Sequence, residues 1–339
     1  MHLRSSSNVP PQGHSTGRQW VEGVVAILIS MLVLAEMYST RPAPLTRNPA
    51  NEPMNLVELE ANDQPVRVEP AIDEAMIVAP DPRPSQPEPL KMVSRDALFA
   101  DLRGPLDLKA WSPSTHLNDY PGTHYGGPWL RENIVRIGNN LGLMIHAGKG
   151  DDLPTMAEFK TRAYYGYGRY EVIMKPSGET GTVSAFFTYT GPWAGNPHDE
   201  VDIEFIGRRP RHVEFNYFKN GRSGAHDKIA LGFDASERLN LYAFEWHKDE
   251  IIWYVNGEEM YRTPPNRTDI PTHPGQLFIS AWTGTKNMEV WTGPRKFGET
   301  AQAEYACMSF TPFGDESYSC ADLWESDPAF RANLDRDAS

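Results

Sequence analysis

Apolar side chains alternate with smaller or polar ones along several short stretches of the chain. Successive side chains of a β-strand point to opposite faces, so a period of two residues indicates a strand with one buried face. Three clear examples are Leu141/Leu143/Ile145, Tyr170/Val172/Met174 and Val213/Phe215/Tyr217.

One turn signal adds to this pattern. The apolar run from Ile251 to Val255 leads directly into Asn256-Gly257, the dipeptide that most strongly indicates a β-hairpin. Long helical periodicity is absent, whereas many short strands are separated by Gly, Pro and Asn turns. The sequence therefore predicts an all-β sandwich.

Charge and cysteine content narrow the possible partners. The 339 residues carry a formal net charge of −13 without a basic stripe. We therefore expect no nucleic-acid partner, since phosphate binding needs clustered Lys and Arg. The two cysteines, Cys307 and Cys320, lack metal-ligand spacing. They would form a disulfide in an oxidising compartment or remain as free thiols.

The N-terminal third predicts export. Residues 1–38 contain an apolar segment, Gly23 to Ala35, of a length typical of a signal peptide. Counting residues 21–38 instead brings the segment near membrane-spanning length, so an uncleaved anchor is the alternative. A buried helix of a cytoplasmic domain is a third possibility. Residues 39–93 hold eleven prolines and are predicted to form a disordered linker.

These features divide the chain. The prediction places the folded β-sandwich domain at residues 94–314 and a loose polar tail at 315–339. The protein is expected outside the cytoplasm, either secreted or periplasmic and anchored in the inner membrane. We expect a monomer.

The segment from His198 to Phe205 carries the chemical signal. If it is a strand whose apolar residues face the core, then Glu200, Asp202 and Glu204 share the opposite face. Neighbouring carboxylates repel one another, which destabilises a sheet and so suggests a chemical use. A solvated acidic strand and a calcium site are the alternatives, although the spacing is not that of an EF-hand.

Retaining glycosidases use such carboxylates. One attacks the anomeric carbon and another protonates the leaving oxygen. An intervening aspartate can share a proton and keep the pKa values of its neighbours apart.

The sequence from Glu200 to Glu204 resembles the catalytic signature of glycoside hydrolase family 16. The resemblance is strong from Met156 to Ser309 and is closest to bacterial lichenases and to glycanases that trim succinoglycan-type exopolysaccharide. Its further motifs are Ala157–Thr161, Tyr165–Val172, Phe186–Pro192, Phe215–Tyr217, Leu231–Ser236 and Tyr242–Trp246.

The resemblance implies a concanavalin-like β-jelly roll with a substrate groove across a concave sheet. It implies Glu200 as nucleophile, Asp202 as its helper and Glu204 as the general acid and base. The residues that it implies in sugar binding are Glu158, Asn216 and Trp282. His198 would either bind sugar or tune the pKa values of the neighbouring carboxylates. The alternatives are a plain surface acid for Glu158, a loop histidine for His198 and core packing for Trp282.

Several positions depart from the lichenase pattern. Lys160 replaces an arginine, Phe218 a tyrosine, Ser280 an asparagine and His198 a tryptophan. Ala306 stands where lichenases have a calcium-ligand aspartate, so we expect no metal or cofactor, with structural calcium as the alternative.

The predicted function is a retaining endo-β-glycanase. Its substrate would be a polysaccharide with β-1,3 or β-1,4 linkages, either a bacterial exopolysaccharide or a mixed-linkage β-glucan. A transglycosylase on the same scaffold and a non-catalytic lectin are the alternatives.

Overall fold

The structure, a computed structural model, describes residues 93–118, 123–150 and 152–330, together with the backbone of 58–61, 64–67 and 69–70. The predicted export segment, residues 1–38, and most of the predicted linker lie outside the described residues. Within the described part of the chain, no helix is both long enough and apolar enough to span a membrane.

Nearly all of the regular structure is β-strand. The strands are β1 (Glu58–Ala61), β2 (Gln64–Arg67), β3 (Glu69–Pro70), β4 (Leu98–Asp101), β5 (Trp111–Pro113), β6 (Ile134–Ile137), β7 (Asn140–His146), β8 (Ala157–Thr161), β9 (Gly168–Lys175), β10 (Thr182–Thr190), β11 (Asp199–Ile206), β12 (His212–Lys219), β13 (Arg222–Ala230), β14 (Asn240–Trp246), β15 (Ile251–Val255), β16 (Glu258–Arg262), β17 (Gln276–Thr283) and β18 (Thr300–Thr311). The α-helices are α1 (Glu289–Thr292) and α2 (Cys320–Ser326), and short 3₁₀ helices occupy four connections.

The strands form two large antiparallel sheets. The seven-stranded sheet has the order β13-β12-β11-β10-β17-β8-β5. The nine-stranded sheet has the order β16-β15-β14-β9-β18-β7-β6-β3, with β4 also paired to β18. Strands β1 and β2 pair only with each other and, like β3, fall within the predicted linker. The predicted all-β sandwich is confirmed.

The main hydrophobic core lies between these sheets. All three alternating triplets that predicted strands contribute their apolar side chains to it. Trp246 and Trp253 are almost completely buried in the same core. At the Asn-Gly turn between β15 and β16, Asn256 and Gly257 both have positive φ, 50° and 86°, as a type I′ turn requires.

A bulge in the middle of β18 changes which of its residues face the core. The register against β9 shifts between Tyr305 and Cys307, so Tyr305 faces the main core while Cys307 faces the outside of the sheet. There Cys307 forms a disulfide with Cys320, the first residue of α2. The disulfide option of the sequence analysis is therefore the one observed.

Helix α2 packs against the outer face of the nine-stranded sheet. Leu323, Trp324 and Phe330 join a second apolar cluster around the disulfide. Ser319 and Asp322 form a capping box at the start of the helix, and Arg103 forms an ion pair with Asp327 beyond its end. The expectation of a loose tail after Gly314 is therefore wrong as far as Phe330. The buried Cys320, Leu323 and Trp324 follow helical spacing, but the helix has only seven residues, too few for a periodic pattern to be recognised in the sequence.

Candidate active site

Strand β11 carries the three predicted carboxylates on one face. It pairs with β10 on one side and β12 on the other, near the middle of the seven-stranded sheet. Val201, Ile203 and Phe205 point into the core, and their exposure does not exceed 1%. The alternation of a strand therefore places Glu200, Asp202 and Glu204 on the opposite face, which we call the acidic face.

The beginning of β11 is fixed by a buried carboxylate. Asp199 is 2% exposed and accepts hydrogen bonds from the backbone N–H groups of Asn220, Thr272 and His273. Its side chain also accepts one from His273 Nδ1 at 2.8 Å. Burial alone would raise the pKa of Asp199, but these donors lower it below its ordinary value. They hold the strand in place one residue before Glu200.

Asp202 is the most enclosed of the three acids. It is 4% exposed, and its backbone oxygen accepts a hydrogen bond from the core side chain of Trp253 at 3.0 Å. Burial raises the pKa of Asp202 well above its ordinary value, and the charges of Glu200 and Glu204 and a hydrogen bond with Glu200 raise it further. Asp202 is therefore suited to hold a proton beside Glu200.

Glu204 also has a strongly raised pKa. Burial is the largest cause, followed by the negative charges of Glu214 and Glu200. A carboxyl group that keeps its proton above its ordinary pKa can donate that proton to a leaving group. The acidic face thus offers a proton donor four residues along the same strand from Glu200.

Glu200 makes a short contact with His198. Glu200 Oε2 lies 2.5 Å from His198 Nε2. Because an ionised carboxylate can only accept, the imidazole donates through Nε2. The ring of His198 stacks on Phe218 and meets Tyr189 edge-on, with centroid separations of 4.9 and 5.1 Å. His198 is thus packed against the acids.

The remaining predicted residues also lie on the acidic face. Asn216 is paired across the strands with Asp202, and Ser223 donates to its Oδ1 at 3.4 Å. Glu158 lies on β8 opposite Ser280, and its Oε1 accepts a hydrogen bond from Ser114 at 2.5 Å. Burial raises the pKa of Glu158, and so does the charge of Glu200.

Trp282 lies towards one end of this face and is largely covered. It is 6% exposed and packs in a cluster separate from the main core. Tyr125 and His124 meet its ring edge-on at 5.1 and 5.5 Å, and Trp291 lies at 6.0 Å. The structure thus brings all seven predicted side chains to one face, although Trp282 is only 6% exposed.

Lys160 occupies the same face beside two aromatic rings. Its Nζ lies 5.4 Å from the ring centre of Trp193 and 5.3 Å from that of Phe278. Trp193 is 40% exposed, so part of its ring is accessible to solvent. Such a ring can stack on the CH face of a sugar.

Glu214 is a further buried acid on the acidic face, and the sequence analysis did not single it out. It lies on β12 directly across from Glu204 and is 3% exposed. Its carboxylate accepts hydrogen bonds from Arg209, His226 and Trp291. The alternation Glu214, Asn216, Phe218 already placed it on the acidic face, but nothing in the local sequence revealed these three partners.

The residues at the lichenase calcium position do not fit a metal. Ala306 is fully buried in the cluster around the disulfide and supplies no side-chain oxygen. Among the described residues, no group of three or more His, Cys, Asp or Glu side chains is arranged to hold a metal ion. At this position the side chain of Ala306 therefore supplies no ligand for calcium.

Comparison with known proteins gives a consistent family. Residues 127–305 match the family model of the glycosyl hydrolases family 16. A β-glucanase of Paenibacillus macerans is 44% identical over 213 residues, which cover 59% of this chain and 87% of that protein. A β-glucanase of Acetivibrio thermocellus is 36% identical over 209 residues, which cover 61% of this chain and 60% of that protein.

A solved structure agrees with these relatives. The crystal structure of a prokaryotic β-1,3-1,4-glucanase (lichenase) from a mouse hindgut metagenome superimposes with a TM-score of 0.59 at 35% identity. The superposition covers 64% of this chain and 99% of that structure. The resemblance noted from the motifs is thereby confirmed, and the chain belongs to glycosyl hydrolase family 16.

Proposed function

We propose that this protein is a retaining endo-β-glycanase that cleaves β-1,3-1,4-linked glucan or a bacterial exopolysaccharide of similar linkage. The proposal depends on the different environments of the three carboxyl groups on β11. Asp202 and Glu204 have raised pKa values, whereas Glu200 accepts a hydrogen bond from His198 and is aimed outward from the same face. The relatives' names as β-glucanases support the substrate class.

In the first step, a carboxylate oxygen of Glu200 attacks the anomeric carbon. The bond from that carbon to the glycosidic oxygen breaks, and the leaving oxygen takes the proton of Glu204. Asp202, protonated by its enclosure, donates to Glu200 in the resting enzyme and can adjust that hydrogen bond as the negative charge of Glu200 is consumed.

In the second step, Glu204 is ionised and takes a proton from water. The water oxygen attacks the anomeric carbon and the ester bond to Glu200 breaks, which restores both carboxyl groups to their initial states. The two inversions give net retention of configuration. If a sugar hydroxyl replaces water in this step, the same residues would perform transglycosylation.

The binding residues would serve the same groove. Glu158 and Asn216 flank the acids from β8 and β12 and offer oxygen and amide groups to sugar hydroxyls. His198 would hold Glu200 in its attacking orientation. The partly exposed ring of Trp193 would supply a stacking surface, because Trp282 is largely covered.

Product analysis tests this function. The protein should release reducing ends from β-1,3-1,4-glucan, laminarin, xyloglucan or a succinoglycan-type polymer, and NMR should show the β-anomer first. Glu200→Gln should be inactive, while Glu245→Gln, which changes a partly exposed acid on the other sheet, should be active. Growth of a pure oligosaccharide into longer chains would instead identify a transglycosylase. Binding without any turnover would identify a lectin.

We also propose that the catalytic domain acts outside the cytoplasm. The disulfide between Cys307 and Cys320 supports this, because disulfides persist in oxidising compartments. The apolar segment at residues 21–38 would act as a signal peptide or an inner-membrane anchor. Cell fractionation and N-terminal sequencing of the mature protein distinguish the two, and recovery of the intact chain in the cytoplasm would contradict both.

A further inference from the structure

The carboxylate of Glu214 is held in one place by three donors from three different elements. Arg209 donates to Oε1 from the turn between β11 and β12. His226 on β13 contacts Oε2 at 2.6 Å, and the indole of Trp291 in α1 donates to the same oxygen at 2.9 Å. A 3% exposed carboxylate with this many donors is ionised and cannot rotate away without leaving them unpaired.

Glu214 faces Glu204 directly. The two are cross-strand partners in the antiparallel pairing of β11 with β12, where side chains on one face lie about 4.5–5.5 Å apart at Cβ. Like charges in such a pair destabilise a sheet. The conflict disappears if one member of the pair holds a proton, and Glu214 is the member whose three donors favour the ionised form.

The other charged groups around Glu204 do not replace this effect. On its own strand, Glu200 and Asp202 are acids. From β13, Lys228 and His226 lie on the far side of Glu214, and Arg209 is engaged with Glu214 itself. The β10 partner of Glu204 is the uncharged Ala185.

We propose that Glu214 is a positioning residue that keeps the neighbouring Glu204 protonated, and so fixes Glu204 as the acid of the first step. The inference rests on the proposed function for its meaning in catalysis, but the charge relationship itself does not depend on turnover. In this proposal the positive charge of Arg209 partly compensates that of Glu214, and so limits how far Glu214 raises the pKa of Glu204.

The pKa directions agree with this arrangement. Burial would raise the pKa of Glu214, yet its donors, His226 foremost, lower it to about 2. The pKa of Glu204 is raised by burial first and by the charge of Glu214 second. At neutral pH the pair therefore carries its negative charge on Glu214 preferentially.

The first test follows the Glu204 carboxyl carbon by ¹³C NMR titration, with the signal assigned by its loss in Glu204→Gln. In Glu214→Gln, the pKa of Glu204 should fall by about one unit, as expected for loss of a close like charge. In Arg209→Gln it should rise, because the charge of Glu214 is then less compensated. Opposite shifts from the two variants would not arise from general loosening of the site.

The matched control is Glu245→Gln. Glu245 accepts from Arg169, His247 and Tyr254 on the nine-stranded sheet, so it has a similar set of donors far from Glu204. This variant should leave the Glu204 titration unchanged. An unmoved Glu204 pKa in folded Glu214→Gln overturns the proposal. If that variant does not fold, an unmoved or lowered pKa in Arg209→Gln overturns it.

The second test uses the pH profile of kcat/KM on a polysaccharide. Activity should fall at alkaline pH as Glu204 loses its proton. This alkaline limb should move to lower pH in Glu214→Gln and to higher pH in Arg209→Gln, in step with the NMR shifts. NMR shifts without any wild-type turnover would support the charge relationship and reject the proposed function. Turnover with an unmoved alkaline limb and an unmoved Glu204 pKa would support the proposed function and reject the charge relationship.

Discussion

His198 Nε2 lies 2.5 Å from Glu200 Oε2, and the face of the histidine ring stacks on Phe218. The stacking contact with Phe218 fixes the orientation of the ring, and the ring in turn fixes the orientation of the Glu200 carboxylate. His198 Nδ1 is buried and has no hydrogen-bond partner among the described residues.

Replacing His198 by Phe tests this contact. The variant keeps a ring against Phe218 but loses the donor, so kcat should fall about tenfold, the cost of one hydrogen bond to a charged group. KM should change little. His247→Phe is a matched control, because His247 also stacks on a Phe, Phe313, and contacts a Glu, Glu245. Equal kcat for His198→Phe and wild type would remove His198 from the site.

The contribution of Asp202 to the free energy of unfolding should fall as pH rises, because its pKa is higher in the folded protein than in the unfolded chain. Its pKa is raised in the folded protein, so the stability it contributes is complete below its unfolded pKa, about 3.9, and is lost as pH rises through the folded value. Asp202→Asn cannot ionise. Its Tm should therefore exceed that of wild type increasingly from about pH 4 upward, at the cost of activity.

The measurement for Asp202 is Tm against pH by calorimetry, with the exposed Asp249→Asn as control. A Tm difference that stays constant across the pH range would show that Asp202 does not titrate in this window.

The disulfide should stabilise the domain without affecting catalysis. It closes a loop of 13 residues on the nine-stranded sheet, away from the acidic face. Replacing Cys307 and Cys320 by Ser should lower the free energy of unfolding by about 3 kcal/mol. Activity at 25 °C should be kept. Denaturant unfolding of the variant should match that of reduced wild type, and a midpoint equal to that of oxidised wild type would contradict the prediction.

Glu204→Ala should separate the two chemical steps. An aryl glycoside with a good leaving group needs little protonation, so the variant should still form the glycosyl-enzyme. Its hydrolysis should be slow, because no base remains to activate water. Stopped-flow measurement should show a burst of the aryl group followed by slow turnover, whereas Glu200→Ala should show no burst. Equal loss of burst and turnover in Glu204→Ala would remove it from the acid/base role.

Local patterns predicted what depends on local geometry. The period-two triplets and the Asn256-Gly257 turn gave the strands and a hairpin because these signals lie within a few residues. The same alternation placed Glu200, Asp202 and Glu204 together, since the face of a strand follows from its spacing.

Features that depend on distant partners could not be read in this way. The donors of Glu214 come from a turn, a neighbouring strand and a helix about eighty residues later in the chain. Helix α2 is held by a disulfide and by an apolar patch on the outer sheet. Its buried Cys320, Leu323 and Trp324 follow helical spacing, but seven residues are too few for that spacing to predict a helix. The extent to which Trp282 is covered likewise depends on Tyr125 and Trp291.

The most direct test of the central claim is to trap the glycosyl-enzyme. An activated 2-deoxy-2-fluoro β-glycoside should inactivate the protein, because fluorine slows the second step more than the first. Peptide mapping by mass spectrometry should then find the sugar esterified to Glu200, and Glu200→Gln should remain unlabelled. A label on Glu204 or Asp202, or turnover with inversion and no label, would contradict the account.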